Sequence, residues 1–129
     1  MSGTSPLIEA LIETEHWPRL DAESVEGFIA GDGVRVLFLT GDPAKNLETN
    51  DVAVILPELA RAFGGAFQPA VVDRSIEDEM RQRFEIWPTP SLIFLRGGKL
   101  IGSIPKVRDW DDYLERIRVI LAGDAIAAE

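Results

Sequence analysis

Two prolines at the mouth of an apolar run restrict this chain more than any other feature. The stretch from Phe84 to Phe94 reads FEIWPTPSLIF, with Pro88 and Pro90 immediately before a segment of strand-forming residues. Proline has no backbone N–H and is tolerated in a sheet only at an edge, at a bulge or as the first residue of a strand. The run Ser91–Arg96 therefore reads as a strand entered through a rigid loop. The turn Gly97-Gly98 then joins it to a second strand, Lys99–Pro105, as a hairpin.

The rest of the chain supplies what such a hairpin needs around it. Ser5-Pro6 opens an N-terminal helix, serine as cap and proline at the first helical position. Leu7 with Leu11 and Ile8 with Ile12 pair along one face, and Pro18 ends the helix. Asp21 is expected to cap a second short helix, with Leu20 and Val25 as its hydrophobic staple, stopped by Gly31-Asp32-Gly33. Val34 to Thr40 is apolar at nearly every position, as in a central strand buried on both faces. A polar loop, GDPAKNLETND, covers Gly41 to Asp51. Val52 to Phe63 follows as a helix capped by Asn50 or Asp51, ended by Gly64-Gly65 and interrupted by Pro57. Gln68 to Asp73 is a second buried strand. Ser75 opens a helix with Glu77, Asp78 and Glu79 in its first turn and Arg81 and Arg83 at its end, which complements the helix dipole. Asp109 caps a last helix whose spacing predicts Trp110, Leu114, Ile117 and Leu121 on the apolar face. A βαβ unit followed by a ββα unit predicts an α/β fold, a mixed sheet with helices on both faces.

Composition narrows the functions open to such a fold. A chain of 129 residues reads as one domain, 1–129. A net charge of −9 argues against nucleic acid, whose phosphates demand lysine and arginine clusters. No apolar run approaches the roughly 20 residues of a membrane helix, so no membrane insertion is expected. Glu9, Glu13 and Glu15 sit where a secretory signal would be basic or apolar, so the expected location is cytoplasmic. There is no cysteine at all. Disulfides, thiolate nucleophiles and cysteine metal sites are therefore excluded together. His16, the single histidine, reads as a surface or helix-end residue, and neither a metal nor another cofactor is expected.

The order of elements resembles thioredoxin. The landmarks are a buried strand leading to a helix with an internal proline (Pro57), a strand ending in Asp73, and the run FEIWPTPSLIFLRGGKLIG. The resemblance implies a cis peptide bond between Thr89 and Pro90, in a loop beside the family's active site. Where thioredoxins carry a Cys-x-x-Cys pair, this chain has GDPAKNLETND, so thiol–disulfide exchange is closed to it. A cysteine-free thioredoxin-like chain with a leading helix resembles the HyaE/HupG family of hydrogenase maturation proteins. TGDPAKNLETNDVAVILPELARAF (40–63) and RFEIWPTPSLIFLRGGKLIGSIPKVRDW (83–110) carry that resemblance. It implies a chaperone of the nickel–iron hydrogenase small-subunit precursor that recognises the precursor's twin-arginine signal peptide and holds back export. Other maturation proteins are further partners it implies.

The candidate peptide-binding residues follow from the two loops: Asp42, Pro43, Glu48, Asp51, Trp87, Pro88, Thr89 and Pro90. Carboxylates at Asp42 and Glu48 suit bidentate contacts with guanidinium groups, whereas Asp51 reads first as a helix cap and Asp42-Pro43 as a turn. A proline loop held rigid presents backbone groups to an extended peptide, or else merely shapes the sheet edge. Trp87 reads as a core residue beneath the first helix in preference to an interface anchor. Two rivals stand beside the chaperone. One is a glutathione-using enzyme, for which Thr40, Thr49 and Tyr113 are the available hydroxyls, Tyr113 being placed away from the loops. The other is a general adaptor with an acidic binding face.

Overall fold

The computed structural model describes residues 5–127 of the chain. Ten elements follow in order: α1 (Pro6–Glu13), β1 (Arg19–Leu20), α2 (Val25–Ile29), β2 (Val34–Leu39), α3 (Glu48–Ala62), β3 (Phe67–Val72), α4 (Arg74–Phe84), β4 (Ser91–Arg96), β5 (Lys99–Pro105) and α5 (Trp110–Ala127). The strands form one sheet in the order β1-β3-β2-β4-β5. β2 pairs parallel with β3, and antiparallel with β4, which pairs antiparallel with β5. This is the mixed thioredoxin-like sheet that the sequence predicts, widened by a two-residue strand, β1, which pairs parallel with β3.

Alternation along β2 divides the core in two. Val36 and Phe38 point into a cluster with Ile8 and Leu11 of α1, Leu56 and Leu59 of α3, and Ile117 of α5. Leu37 and Leu39 point the other way, against Val25 and Ile29 of α2 and Ile76, Met80 and Phe84 of α4. A strand whose successive side chains enter opposite layers must be apolar at consecutive positions, which explains the unbroken run from Val36 to Leu39.

Local signals placed some boundaries well. Ser5 caps α1 by accepting the Ile8 N–H at 3.2 Å, with proline at the first helical turn. Asp73, expected as the last residue of a strand and two residues before Ser75, caps α4 by accepting the Ser75 N–H at 3.0 Å. Three expectations fail. α3 begins a full turn early, at Glu48, so Asn50 and Asp51 lie inside the helix rather than capping it. Long-range bonds account for the extra turn: the Thr49 hydroxyl donates to the Thr40 carbonyl at 2.6 Å, and Ser5 donates to the Asn50 side chain at 2.7 Å. Asp21 does not cap α2 directly; it accepts the N–H groups of Glu23 and Ser24 and so closes the turn before that helix. In α5 the core positions are Tyr113, Ile117 and Ile120, with Leu114 and Leu121 partly buried, whereas Trp110 lies at the exposed rim.

Candidate functional site

β2 ends at Leu39, and the chain leaves the sheet through Thr40 and Gly41. Gly41 has φ +69°, a left-handed conformation that favours glycine. It is also hemmed in: a Cβ there would lie 2.6 Å from the side-chain oxygen of Thr89 and 2.6 Å from the side-chain nitrogen of Asn46. Glycine is thus what lets the 41–47 loop and the proline loop close on one another. Beneath them the Glu77 carboxylate accepts the Gly41 N–H at 2.9 Å and pairs with Arg74 at 2.9 Å. Glu77 is only 4% exposed, and burial pushes its carboxyl above the usual range against the opposing pull of that N–H and of Arg74.

The expected residues fall into three groups. Pro43 and Pro90 are buried, and Pro90 lines the groove between the loops. Asp42 is half-buried and accepts the Ala44 N–H at 3.0 Å, the turn expected of Asp-Pro. Glu48 reaches across to the start of the last helix and accepts the Val107 N–H at 2.9 Å, so one of its oxygens already has a structural partner. Asp51 is exposed in the first turn of α3. Pro88, exposed, accepts the Ser91 hydroxyl on its carbonyl at 2.6 Å.

The Thr89–Pro90 bond is cis. Lys106 covers both carbonyls there, its ammonium bonding Thr89 O at 3.1 Å and its N–H bonding Pro90 O at 2.8 Å. Lys106 is itself left-handed, at φ +66°, and the Tyr113 hydroxyl donates to its carbonyl at 3.3 Å. Neither Lys106 nor Lys45 was legible as a site residue, yet both line the groove of about 150 Å³ between the loops, with Asn46, Leu47, Glu48 and Pro90. A left-handed lysine after a strand carries no sequence signal.

Trp87 overturns the expectation of a core residue: it is 53% exposed, with the Arg81 guanidinium 6.0 Å above its ring and bonded to its carbonyl. The cluster beneath the first helix is built from Ile8 and Leu11, with Trp17 rather than Trp87 as the indole packed against it. Leu47, at the entrance to α3, is 83% exposed. The face therefore carries two large bare apolar side chains, two lysines and the partly exposed Asp42.

The hydroxyls that a thiol-activating enzyme would need are committed elsewhere. Thr40 and Thr49 are buried; Thr40 donates to the Gly41 carbonyl at 2.8 Å and Thr49 to the Thr40 carbonyl. Tyr113 is fully buried, and desolvation pushes its phenol up to about 12. Among the described residues no three His, Asp or Glu side chains stand together in a way that would hold a metal ion, and no helix is long and apolar enough to cross a membrane.

Residues 7–113 match the family model described as Hydrogenase-1 expression protein HyaE. The hydrogenase expression/formation protein HupG of Rhodobacter capsulatus is 48% identical over 121 residues, covering 93% of this chain and 88% of that protein. HoxO of Cupriavidus necator, also a hydrogenase expression/formation protein, is 42% identical over 119 residues, covering 91% of this chain and 74% of the relative. A crystal structure of a hydrogenase expression/formation protein HupG from Rhodopseudomonas palustris superposes with a TM-score of 0.58 at 37% identity, over 81% of this chain and 95% of that one.

Proposed function

This chain belongs to the HyaE family of hydrogenase expression proteins, and on that premise we propose that it acts as a chaperone for the twin-arginine signal peptide of the hydrogenase small-subunit precursor. The observation that carries the reading is the bare apolar side chain of Leu47, which lines the groove between the 41–47 loop and Pro90, together with Trp87, exposed at the start of the proline loop. Tryptophan on an open, half-rigid loop is the residue type that anchors protein interfaces. Asp42 at the rim offers a carboxylate to a guanidinium. Exposed ion pairs contribute only about 0.2–1 kcal/mol each, so the apolar contacts supply most of the affinity. With no cysteine in the chain, association is non-covalent. Holding the signal segment would keep the precursor from the export machinery until assembly is complete.

The test is a titration with the signal peptide and with a version in which both arginines are lysine, at low and physiological salt. Lysine keeps the charge but loses the guanidinium fork. The expected outcome is binding that weakens with the lysine peptide and again when Asp42→Asn is combined with Glu48→Gln. No binding of either peptide overturns the reading and leaves a general adaptor as the account.

A further inference from the structure

From Leu47 onward, α3 carries a second surface that the two loops do not explain. Leu47, Asp51, Val54 and Glu58 are spaced four, three and four residues apart, which places them on one face of the helix. That face is open: Val54 is 56% exposed, Asp51 and Glu58 are exposed, and Leu47 is the barest large apolar residue among those described. Along its side runs a groove of about 200 Å³ between α1 and α3, walled by Leu7, Ala10 and Leu11 on one side and Ala53, Val54 and Pro57 on the other. Leu7 is 40% exposed at its lip. Pro57 has no N–H to give the Ala53 carbonyl four residues back.

The charges around this strip are negative where they are unmatched. Glu58 and Glu15 share Arg61, at 2.6 and 3.5 Å, so two carboxylates meet one guanidinium. Asp51 makes no ion pair or hydrogen bond among the described residues. Apolar and acidic positions thus alternate along α3, beginning at the groove between the loops and ending in the groove beside α1.

We propose that this strip is the docking surface for the apolar part of the bound segment, a stretch of apolar residues with basic residues beside it, laid along α3 from Leu47 to the α1–α3 groove. Leu7 and Val54 receive its apolar side chains, and Asp51 with the Glu15–Glu58 pair receives its cations. An amphipathic segment seated between two helices is an established way for a groove to bind. The inference rests on the signal-peptide reading for the identity of the ligand, but the surface has its own chemistry and its own test.

The experiment uses the full chain, Val54→Lys, and a milder variant, Leu7→Ser, each checked for folding by circular dichroism. The probes are the signal peptide, the same peptide with its apolar stretch made polar, and a short amphipathic peptide of leucine and lysine. The native chain is expected to bind the intact signal peptide and the leucine–lysine peptide, losing about tenfold when the apolar stretch is made polar. Both variants should lose a similar factor for the intact peptides and no longer distinguish the polar version. Unchanged affinity in both folded variants overturns the docking surface while leaving the signal-peptide reading in place. Binding of the leucine–lysine peptide alone, weakened by Val54→Lys, overturns that reading and supports the surface. Binding of neither peptide overturns both.

Discussion

The Glu77 carboxylate accepts the Gly41 N–H at 2.9 Å, tying the first turn of α4 to the residue where β2 gives way to the site loop. Burial raises the pKa of that carboxyl. The native state therefore holds its proton to higher pH than the unfolded chain does, and the associated stability is lost as pH rises through the native value. Against Glu77→Gln, which keeps an acceptor for Gly41, the native protein should lose relative stability as the pH rises from about 4 toward neutrality. Glu77→Ala, which leaves the Gly41 N–H without its acceptor, should cost about 1–3 kcal/mol. Denaturant melts of the three proteins across that range check both statements, and a parallel pH course for native and Glu77→Gln would refute the first.

Gly41→Ala should be among the most damaging small substitutions in the molecule. Its φ of +69° disfavours any side chain, and the new methyl would meet Thr89 and Asn46 at 2.6 Å. A left-handed non-glycine residue alone costs about 1–3 kcal/mol, and the crowding adds to it. Urea titration gives the value; a change below about 0.5 kcal/mol would mean that both loops yield without resistance.

Trp87→Ala separates stability from binding. A side chain more than half exposed contributes little to folding, so the melting transition should move by no more than about 0.5 kcal/mol. Arg81 keeps its bond to the residue 87 carbonyl, which the substitution does not remove. Affinity for the signal peptide is expected to fall by about tenfold or more. An unchanged titration would take Trp87 out of the interface.

Tyr113 is the chain's single tyrosine, so its ionisation is readable directly. Buried against the core, its phenol is pushed up to about 12 from the ordinary 10.0. Between those values the unfolded chain releases the proton and the native state keeps it, so stability falls as the pH rises across that interval. Tyrosinate absorbance should appear only near pH 12 or together with unfolding; a midpoint near the ordinary tyrosine value in folded protein would contradict the burial.

The order of the longer elements was legible because each rests on local chemistry: Ser5 as a cap, the acidic first turn and basic end of α4, the Gly97-Gly98 turn, and the apolar run of β2. What escaped notice is held by partners distant in sequence. β1 exists because Val71 and Val72 offer it an edge, and the first turn of α3 exists because Thr49 finds the Thr40 carbonyl. The site divided in the same way. The proline loop and the polar loop were visible as segments, and the structure brings them together at Gly41. Trp87 was misplaced because an indole beside an apolar strand has the same pattern whether it turns in or out. Lys45 and Lys106 escaped because lysines carry no positional signal until the groove they line is built. Glu48 was read as a ligand group, whereas one of its oxygens is tied to Val107.

Lys106 has a further consequence. Its N–H, its ammonium and its carbonyl are bonded to Pro90, Thr89 and Tyr113, while the next amide is held by Glu48. The proline loop, the end of β5, α3 and α5 therefore meet at one lysine. A displacement of the proline loop is transmitted to the root of the last helix, so amide exchange at Val107 and Tyr113 should report events at Pro90.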